Sequence, residues 1–391
     1  MLRFLTAGES HGPALTIILD GLPAGLPIST TAINADLARR QAGYGRGGRM
    51  AIEKDEIVIQ GGVRHGMTMG GPVAMLILNR DWPSWKTAMA VEAVDEKDAA
   101  ALRRVRLPRP GHADLAGALK TGTHDARDVL ERASARETTG RVAAGAVARQ
   151  LLERFGMQIA SHTLGVAGVQ VPREPEIPWD RIAAIAATSP LRCVDAVLEA
   201  EMQKEIDRAR ESQDSVGGVF QVVVRGVPPG LGSCRQWDTR LEARLGRALL
   251  SIQAVKAVEI GDGCAAAARR GSQVHDEIHY DAGRHRFYRR TNRAGGIEGG
   301  MSNGEEIRAT AFLKPLSTLP RPLRTIDLVD KTEAQATVER TDTCVIAAAG
   351  VIGEAMAALT LAEACIEKFG GDSIAEMERN AAGYRRQLEE Y

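Results

Sequence analysis

The chain has 391 residues, 44% of them hydrophobic, enough to bury a large core as one big domain or two ordinary ones. Lys+Arg and Asp+Glu are 50 each, so the net charge is zero, which argues against a dedicated nucleic-acid binder with its basic excess. Five scattered cysteines with no C-x-x-C pair argue against a disulfide framework or a cysteine zinc site and suit reduced thiols in the cytosol.

Along the chain, the first dozen residues hold no apolar run long enough for a signal peptide. Strand signals follow at Leu2–Thr6, Ala14–Asp20, Ile57–Gln60 and Val73–Leu78. A helix is predicted to start after Ser29 or Thr30 and to run through Leu37 into an arginine–glycine stretch. Glu137–Gly156 reads as a helix that stops on a glycine, and its small residues would admit a close neighbour. Further helices are predicted at Val197–Glu211 and Thr239–Ser251. The most apolar run, Val345–Ile366, has the length of a membrane span, but Glu354 and Glu363 interrupt it. It reads as a buried core helix ending at Gly370-Gly371, with no membrane involved. A last helix opens at Ser373, with Glu376 completing a capping box.

The arginine–glycine stretch, RRQAGYGRGGR, places four arginines among four glycines from Arg39 to Arg49. Its GYGRGG formally matches G-x-G-x-x-G, but the Rossmann turn must follow a strand and open a helix, and here a helix precedes it. Its glycines would let the loop bend while Arg40, Arg46 and Arg49 point inward to an anion; a solvated loop is the alternative. GESHG at Gly8–Gly12 fits the serine-hydrolase G-x-S-x-G pattern, yet a proline and a strand follow it instead of a helix. It reads instead as a tight turn presenting Ser10 and His11 for acid work or phosphate contact.

In RLPRPGHADLAG, His112 follows a Pro-Gly turn among arginines that include Arg109, so its charge is under electrostatic control. Arg132, Ser134 and Arg136 precede the Glu137 helix, whose N-terminus offers N–H groups to a phosphate. HDEIH at His275–His279 has the i, i+4 spacing of a zinc helix but Asp276 where a zincin has Glu. Arg340 and Asp342 head the long apolar helix, where Asp342 would serve either as N-cap or as a ligand contact. KPLST at Lys314–Thr318 adds a cation and two hydroxyls after a strand. GGVRHGMTMG (Gly61–Gly70) is echoed by GGIEGGMSNG (Gly295–Gly304), from either two pseudo-equivalent halves or repeated turn chemistry.

Each motif is weak alone, but GESHG, GYGRGGRM, RPGHAD, ASARET, NRAGGIEGGMSNG, KPLST and RTDTC with its later Gly-Glu occur in one order. That ordered set, from Leu2 to about Gly371, resembles the chorismate synthase family. The resemblance implies an α+β fold, with a helical core sandwiched between two antiparallel four-stranded β-sheets, as a single domain over residues 1–391 that forms a homotetramer. It implies a lyase of the shikimate pathway for aromatic amino acid biosynthesis. The reaction is a 1,4-anti elimination of phosphate from 5-enolpyruvylshikimate-3-phosphate, giving chorismate. The cofactor is reduced FMN, lending an electron although there is no net redox change.

By the same resemblance, His11 protonates or polarises the leaving phosphate, His112 tunes flavin protonation, Asp342 manages the proton at flavin N5, and Ser10 completes the catalytic set. Arg40, Arg46, Arg49, Arg109, Ser134, Arg136 and Arg340 would hold the substrate. FMN contacts carry over to Arg132, Ala133, Ser134, Gln253, Ala254, Gly299, Lys314, Pro315, Leu316, Ser317, Thr318 and Arg340. Many relatives have a second serine where this chain has Ala133, so contact there is expected through backbone. Arg40 and Arg46 also match positions assigned to NADP, read here as the same anion site. The type implied is the monofunctional, cytoplasmic one, with flavin reduced by a separate reductase and NADP(H) acting only through it.

Overall fold

The structure, a computed structural model, describes residues 1–48, 52–95, 101–174, 176–185 and 187–391. Alternation sets the first sheet. In β2 (Ala14–Asp20), Leu15, Ile17 and Leu19 point to the core while Thr16 and Ile18 face outward. β6 (Val73–Leu78) buries Val73, Met75 and Ile77 in the same way, and Ile17 pairs with Met75. With β1 (Arg3–Ala7) and β3 (Ile57–Gly61) they form an antiparallel sheet in the order β1-β2-β6-β3. A two-residue-per-arm hairpin, β4 (Val63–Arg64) and β5 (Met67–Thr68), precedes β6.

The second sheet is built from β7 (Gln158–Val166), the short β8 (Val169–Gln170), β9 (Gly218–Arg225), β10 (Val255–Ile260) and β15 (Ile307–Leu313). Its order is β10-β15-β9-β7-β8, so it has five strands where four were expected; the extra one is the β8 arm folded back on β7. Without β8, the strand order repeats that of the first sheet. Two hairpins precede β15: β11 (Ile278–Asp281) with β12 (Arg286–Arg289), and β13 (Ile297–Glu298) with β14 (Met301–Ser302).

The β4–β5 and β13–β14 hairpins fall on the two echoed glycine segments and share details beyond glycine. Thr68 Oγ1 accepts from Leu26 N at 2.9 Å and donates to Pro23 O at 2.6 Å. Ser302 Oγ accepts from Leu231 N at 2.9 Å and donates to Pro228 O at 2.6 Å.

The helices make up most of the remaining regular structure. They are α1 (Thr30–Gln41), α2 (Asp114–Thr121), α3 (Arg127–Ala133), α4 (Thr138–Glu153), α6 (Ala196–Glu211), α7 (Leu241–Leu250), α10 (Ile346–Phe369) and α11 (Ile374–Glu390). Three shorter ones are α5 (Trp179–Ala183), α8 (Cys264–Ala267) and α9 (Gly271–Val274). α9 ends before His275, and His279 lies in β11, so the HDEIH spacing does not sit on one helix face. Ser29 caps α1 and Ser373 caps α11 through their side chains, as the sequence suggests.

α4 packs on the first sheet, α10 on the second, and the two helices on each other. The approach is close enough to demand glycine: a Cβ on Gly145 of α4 would fall 2.3 Å from that of Ala355, and one on Gly353 would fall 2.4 Å from the Phe220 ring. α10 is the one described helix long and apolar enough to cross a membrane, and the rest of the chain buries nearly all of it.

Glu354 stands in the middle of that apolar helix with no exposure to solvent. Arg39 Nη2 meets it at 2.7 Å, Arg149 Nη2 at 2.6 Å and Ser161 Oγ at 2.6 Å, with Arg192 Nη2 at 3.6 Å. Burial opposes its charge, but Arg39, Arg149 and Arg192 outweigh burial and hold the carboxyl down to about 2. Its pKa falls on folding, so its contribution to stability is present above about pH 4.3 and is lost as pH drops through the folded value. Glu354→Gln should destabilise the fold by about 3–5 kcal/mol at neutral pH and flatten the loss of stability between about pH 5 and 2, as read by urea unfolding across pH.

Candidate active site

Six separate segments converge where α4 and α10 begin. The turn after β1 brings Ser10 and His11, and the end of α1 with its glycine loop brings Arg40 and Arg46. The Pro-Gly turn before α2 brings Arg109 and His112, and the 3-10 turn Ala135–Glu137 carries Arg136. Lys314–Thr318 follows β15, and Arg340–Asp342 precedes α10. Together they enclose a cavity of about 560 Å³, one wall of which is apolar: Leu130, Ile252, Leu313, Val345, Ala348 and Ile352.

His11 is buried, and its Nδ1 lies 2.9 Å from Glu131 Oε1 while its backbone N–H donates to Oε2 at 2.8 Å. Its ring stacks on Trp85 with centroids 3.8 Å apart, and the Arg103 guanidinium covers the indole at 4.0 Å. Arg127 also reaches Glu131, at 3.2 Å, and continues to Glu339 at 2.8 Å. Burial works to raise Glu131's pKa, but the hydrogen bonds and charge of His11, with Arg127, hold it below the ordinary carboxylate range. Ser134 Oγ donates to Ser10 Oγ at 3.1 Å, beside the His11–Glu131 pair.

His112 repeats the arrangement. Its Nδ1 lies 2.5 Å from Asp114 Oδ1, and Arg109 Nη2 lies 3.0 Å from the same nitrogen. Guanidinium only donates, so the carboxylate is the group Nδ1–H can bond. Asp114 is fully buried and also accepts from Arg109 N at 3.0 Å and Nε at 2.8 Å. Burial opposes its charge, yet His112 and Arg109 push its pKa far below the usual value. Arg109 Nη1 reaches Thr318 Oγ1 at 2.7 Å, and Lys314 Nζ donates to Gly111 O at 2.6 Å, which ties the 314–318 segment to the histidine turn.

Arg40 spends Nε and Nη2 on Thr138 Oγ1 and Ala135 O, which leaves Nη1 buried with no hydrogen-bond partner and 3.7 Å from Asp55 Oδ2. Burial, reinforced by Arg136 and Arg46, pushes its pKa down to about 9 despite Asp55. Gln253 Oε1 is a second buried atom in the cavity wall without a partner. Arg46 Nη1 pairs with Asp342 Oδ2 at 3.0 Å, and Gly47 N donates to Asp342 Oδ1 at 2.5 Å. α10 starts at Ile346 with Val345 at its N-cap, so Asp342 anchors the glycine loop and does not cap the helix. Arg340 is half exposed and pairs with Asp81, which also accepts from Trp85 Nε1 at 3.3 Å.

Of the other expected residues, Ala133, Ser134, Ala254, Pro315, Leu316 and Ser317 line the cavity. Ala254 does so in a left-handed conformation, φ 69°, at the start of β10. Arg136 lines it too, but Asn79 and Asp55 engage all its guanidinium nitrogens, so it braces Asp55 rather than offering free donors. Two of the expected cofactor contacts lie elsewhere in this chain. Arg132 turns back to Thr6 and Gly8 at the end of β1, and Gly299 sits in the β13–β14 turn; neither lines the cavity. Arg49 lies outside the described residues. Sequence reading missed Glu131, Asp114, Trp85 and Asp81. Asp114 stood inside a motif already quoted, and Glu131 sits one helical turn after Arg127, but nothing local marks Trp85 or Asp81.

Residues 2–366 match the family model described as chorismate synthase. The chain belongs to the chorismate synthase family. It is 53% identical to the chorismate synthase of Solibacter usitatus over the full length of both chains. To that of Desulforudis audaxviator it is 55% identical, covering 100% of this chain and 98% of the relative. A crystal structure of a chorismate synthase superposes with a TM-score of 0.80 at 38% identity, covering 100% of this chain and 99% of that one. The motifs read as the family's thus supply the segments that build the cavity, except NRAGGIEGGMSNG, which forms the β13–β14 hairpin away from it. Arg40→Gln should weaken binding of inorganic phosphate roughly 10- to 100-fold in calorimetry at low salt, the loss of one charged hydrogen bond. Unchanged affinity would show that Nη1 does not face an anion.

Proposed function

We propose that the chain eliminates phosphate from 5-enolpyruvylshikimate-3-phosphate to give chorismate, a 1,4-anti elimination with reduced FMN as cofactor. The observation that carries this reading is the convergence of two histidine–carboxylate pairs and the cations Arg40, Arg46, Arg109, Arg340 and Lys314 on one cavity. The substrate brings a phosphate and two carboxylates, and the cofactor brings another phosphate, which matches that supply of planar and point cations. An apolar wall beside the orphaned Arg40 Nη1 and Gln253 Oε1 suits a flat polar ring system.

Ala133, Ser134, Gln253, Ala254, Lys314–Thr318 and Arg340 would hold the cofactor. When bound, reduced FMN supplies transient electron donation to a reaction without net redox change. Arg40, Arg46 and Arg109 orient the substrate and neutralise its charge as phosphate departs. His11 would give a proton to the departing phosphate oxygen, and His112 would hold the protonation of the flavin ring if FMN is bound there. Asp342 is fixed by Arg46 and Gly47 and would take part in proton handling at the flavin when it is bound. The apolar wall would exclude water from a bound ligand and strengthen each of these contacts.

The same reading makes the protein a cytoplasmic homotetramer supplied with flavin by a separate reductase, with NADP(H) acting only through that reductase. Exposed Leu5, Val58 and Leu78 on the outer face of the first sheet support subunit contact there. We also infer one domain made of two pseudo-equivalent halves; the matched hairpins and strand orders support it.

Anaerobic incubation with substrate and reduced FMN should release chorismate and phosphate in equal amounts, and no product would overturn the reading. His11→Ala and His112→Ala should each lower kcat by about 10²- to 10⁴-fold, far more than the fraction of protein that either variant leaves unfolded, as checked by thermal melting.

A further inference from the structure

Each cavity histidine is held by a carboxylate that belongs to no assigned role. Glu131 binds His11 Nδ1 and Arg127, and Asp114 binds His112 Nδ1 and Arg109. Both carboxylate side chains have zero exposure, and both are flanked by an arginine whose own side chain is almost fully covered. The two units come from different segments, one across 120 residues and one across two, yet they repeat the same order of imidazole, buried carboxylate and guanidinium. A buried carboxylate needs paired cations, and the arginine meets that need whatever the charge of the histidine. The acid therefore stays ionised and accepts a hydrogen bond from Nδ1–H throughout a proton cycle.

We propose that Glu131 and Asp114 are positioning residues that lock His11 and His112 in the Nδ1–H form, so that Nε2 is the nitrogen that exchanges protons in each. The arginine in each unit keeps the carboxylate from taking the proton itself. This inference rests on the elimination proposed above for its activity readout but not for its structural one. An isosteric amide in place of the acid can turn its NH₂ toward Nδ1 and favour the opposite tautomer while leaving the shape intact.

The test has two arms. In the ligand-free protein labelled with ¹⁵N-histidine, long-range ¹H–¹⁵N spectra, assigned by loss of signals in His11→Ala and His112→Ala, should show Nδ1 protonated at both sites. In the active protein, Asp114→Asn and Glu131→Gln should each lower kcat by about 10²- to 10⁴-fold with KM changed less than about threefold. An unprotonated Nδ1 at either histidine in the unliganded protein would overturn the proposal at that site, even if the variants fail to fold. Wild-type turnover with either amide variant at its normal kcat would overturn it too, while leaving the proposed reaction intact. Failure of the wild type to make chorismate would sink the reaction alone, because the tautomer measurement needs no substrate.

Discussion

One buried carboxylate fixes how the helical layer is assembled. Glu354 lies in the middle of α10, and its partners come from α1, α4, β7 and the segment holding Arg192. An isolated charge at that depth would be too costly to keep, so the surrounding arginines must arrive in register for the fold to form. The consequence reaches the cavity through α1. Consecutive helix positions point about 100° apart, so anchoring Arg39 to Glu354 turns Arg40 toward Thr138 and the site. The pair of arginines that looked like one cationic patch in the sequence is divided between structure and site by a single acid.

Arginine content alone does not mark an anion site, as a second cavity shows. It lies against β7, β9 and β15, is larger at about 910 Å³, and is also rich in arginine. There Arg173 pairs with Glu259, Arg269 with Glu174 and Asp262, Arg289 with Glu298, and Arg308 with Glu176 and Glu306. Its cations largely cancel within the protein. In the first cavity Arg40 keeps a buried Nη1 without a hydrogen-bond partner, and burial, reinforced by Arg136 and Arg46, lowers its pKa, a state that an incoming anion relieves. Arg308 Nε in the second cavity also lacks a hydrogen bond, but it lies 3.0 Å from Glu176 Oε1. Arg40 Nη1 stands 3.7 Å from Asp55 Oδ2, so the first cavity leaves its donor more open to an anion.

Much of the fold was readable in the sequence because its signals are local. Strand alternation at Ala14–Asp20 and Val73–Leu78, the serine caps of α1 and α11, and the glycine stop after α4 all act within a few residues. Glu354 was visible only as an interruption of an apolar run; its arginines come from 39, 149 and 192, and no local pattern joins them. The site behaved similarly. Histidines and arginines stand out in glycine turns, whereas Trp85 meets His11 across 74 positions and its Asp81 meets Arg340 across 259. Side chains that touch the cavity were therefore legible, and the groups that orient them were not, because orientation is a property of the packed structure.

The glycines of the Arg39–Arg49 stretch take on a different physical meaning once packed. As sequence they suggest a hinge that closes over a substrate. Gly43, Gly45 and Gly47 are points of close packing, while Gly48 has open space around it. A Cβ on Gly47 would fall 2.4 Å from Thr341 O, and one on Gly45 would meet Cys344 Cβ at 2.9 Å. Thr343 N also donates to Gly45 O at 2.8 Å. That contact brings Gly47 N and Arg46 onto the Asp342 carboxylate, so the residue read as a helix cap becomes the anchor of the loop. Any side chain at Gly47 would push the loop off the segment leading into α10 and separate Arg46 from Asp342. The glycines thus hold the cationic loop at a fixed distance from the head of α10, and the cavity is shaped before a ligand arrives.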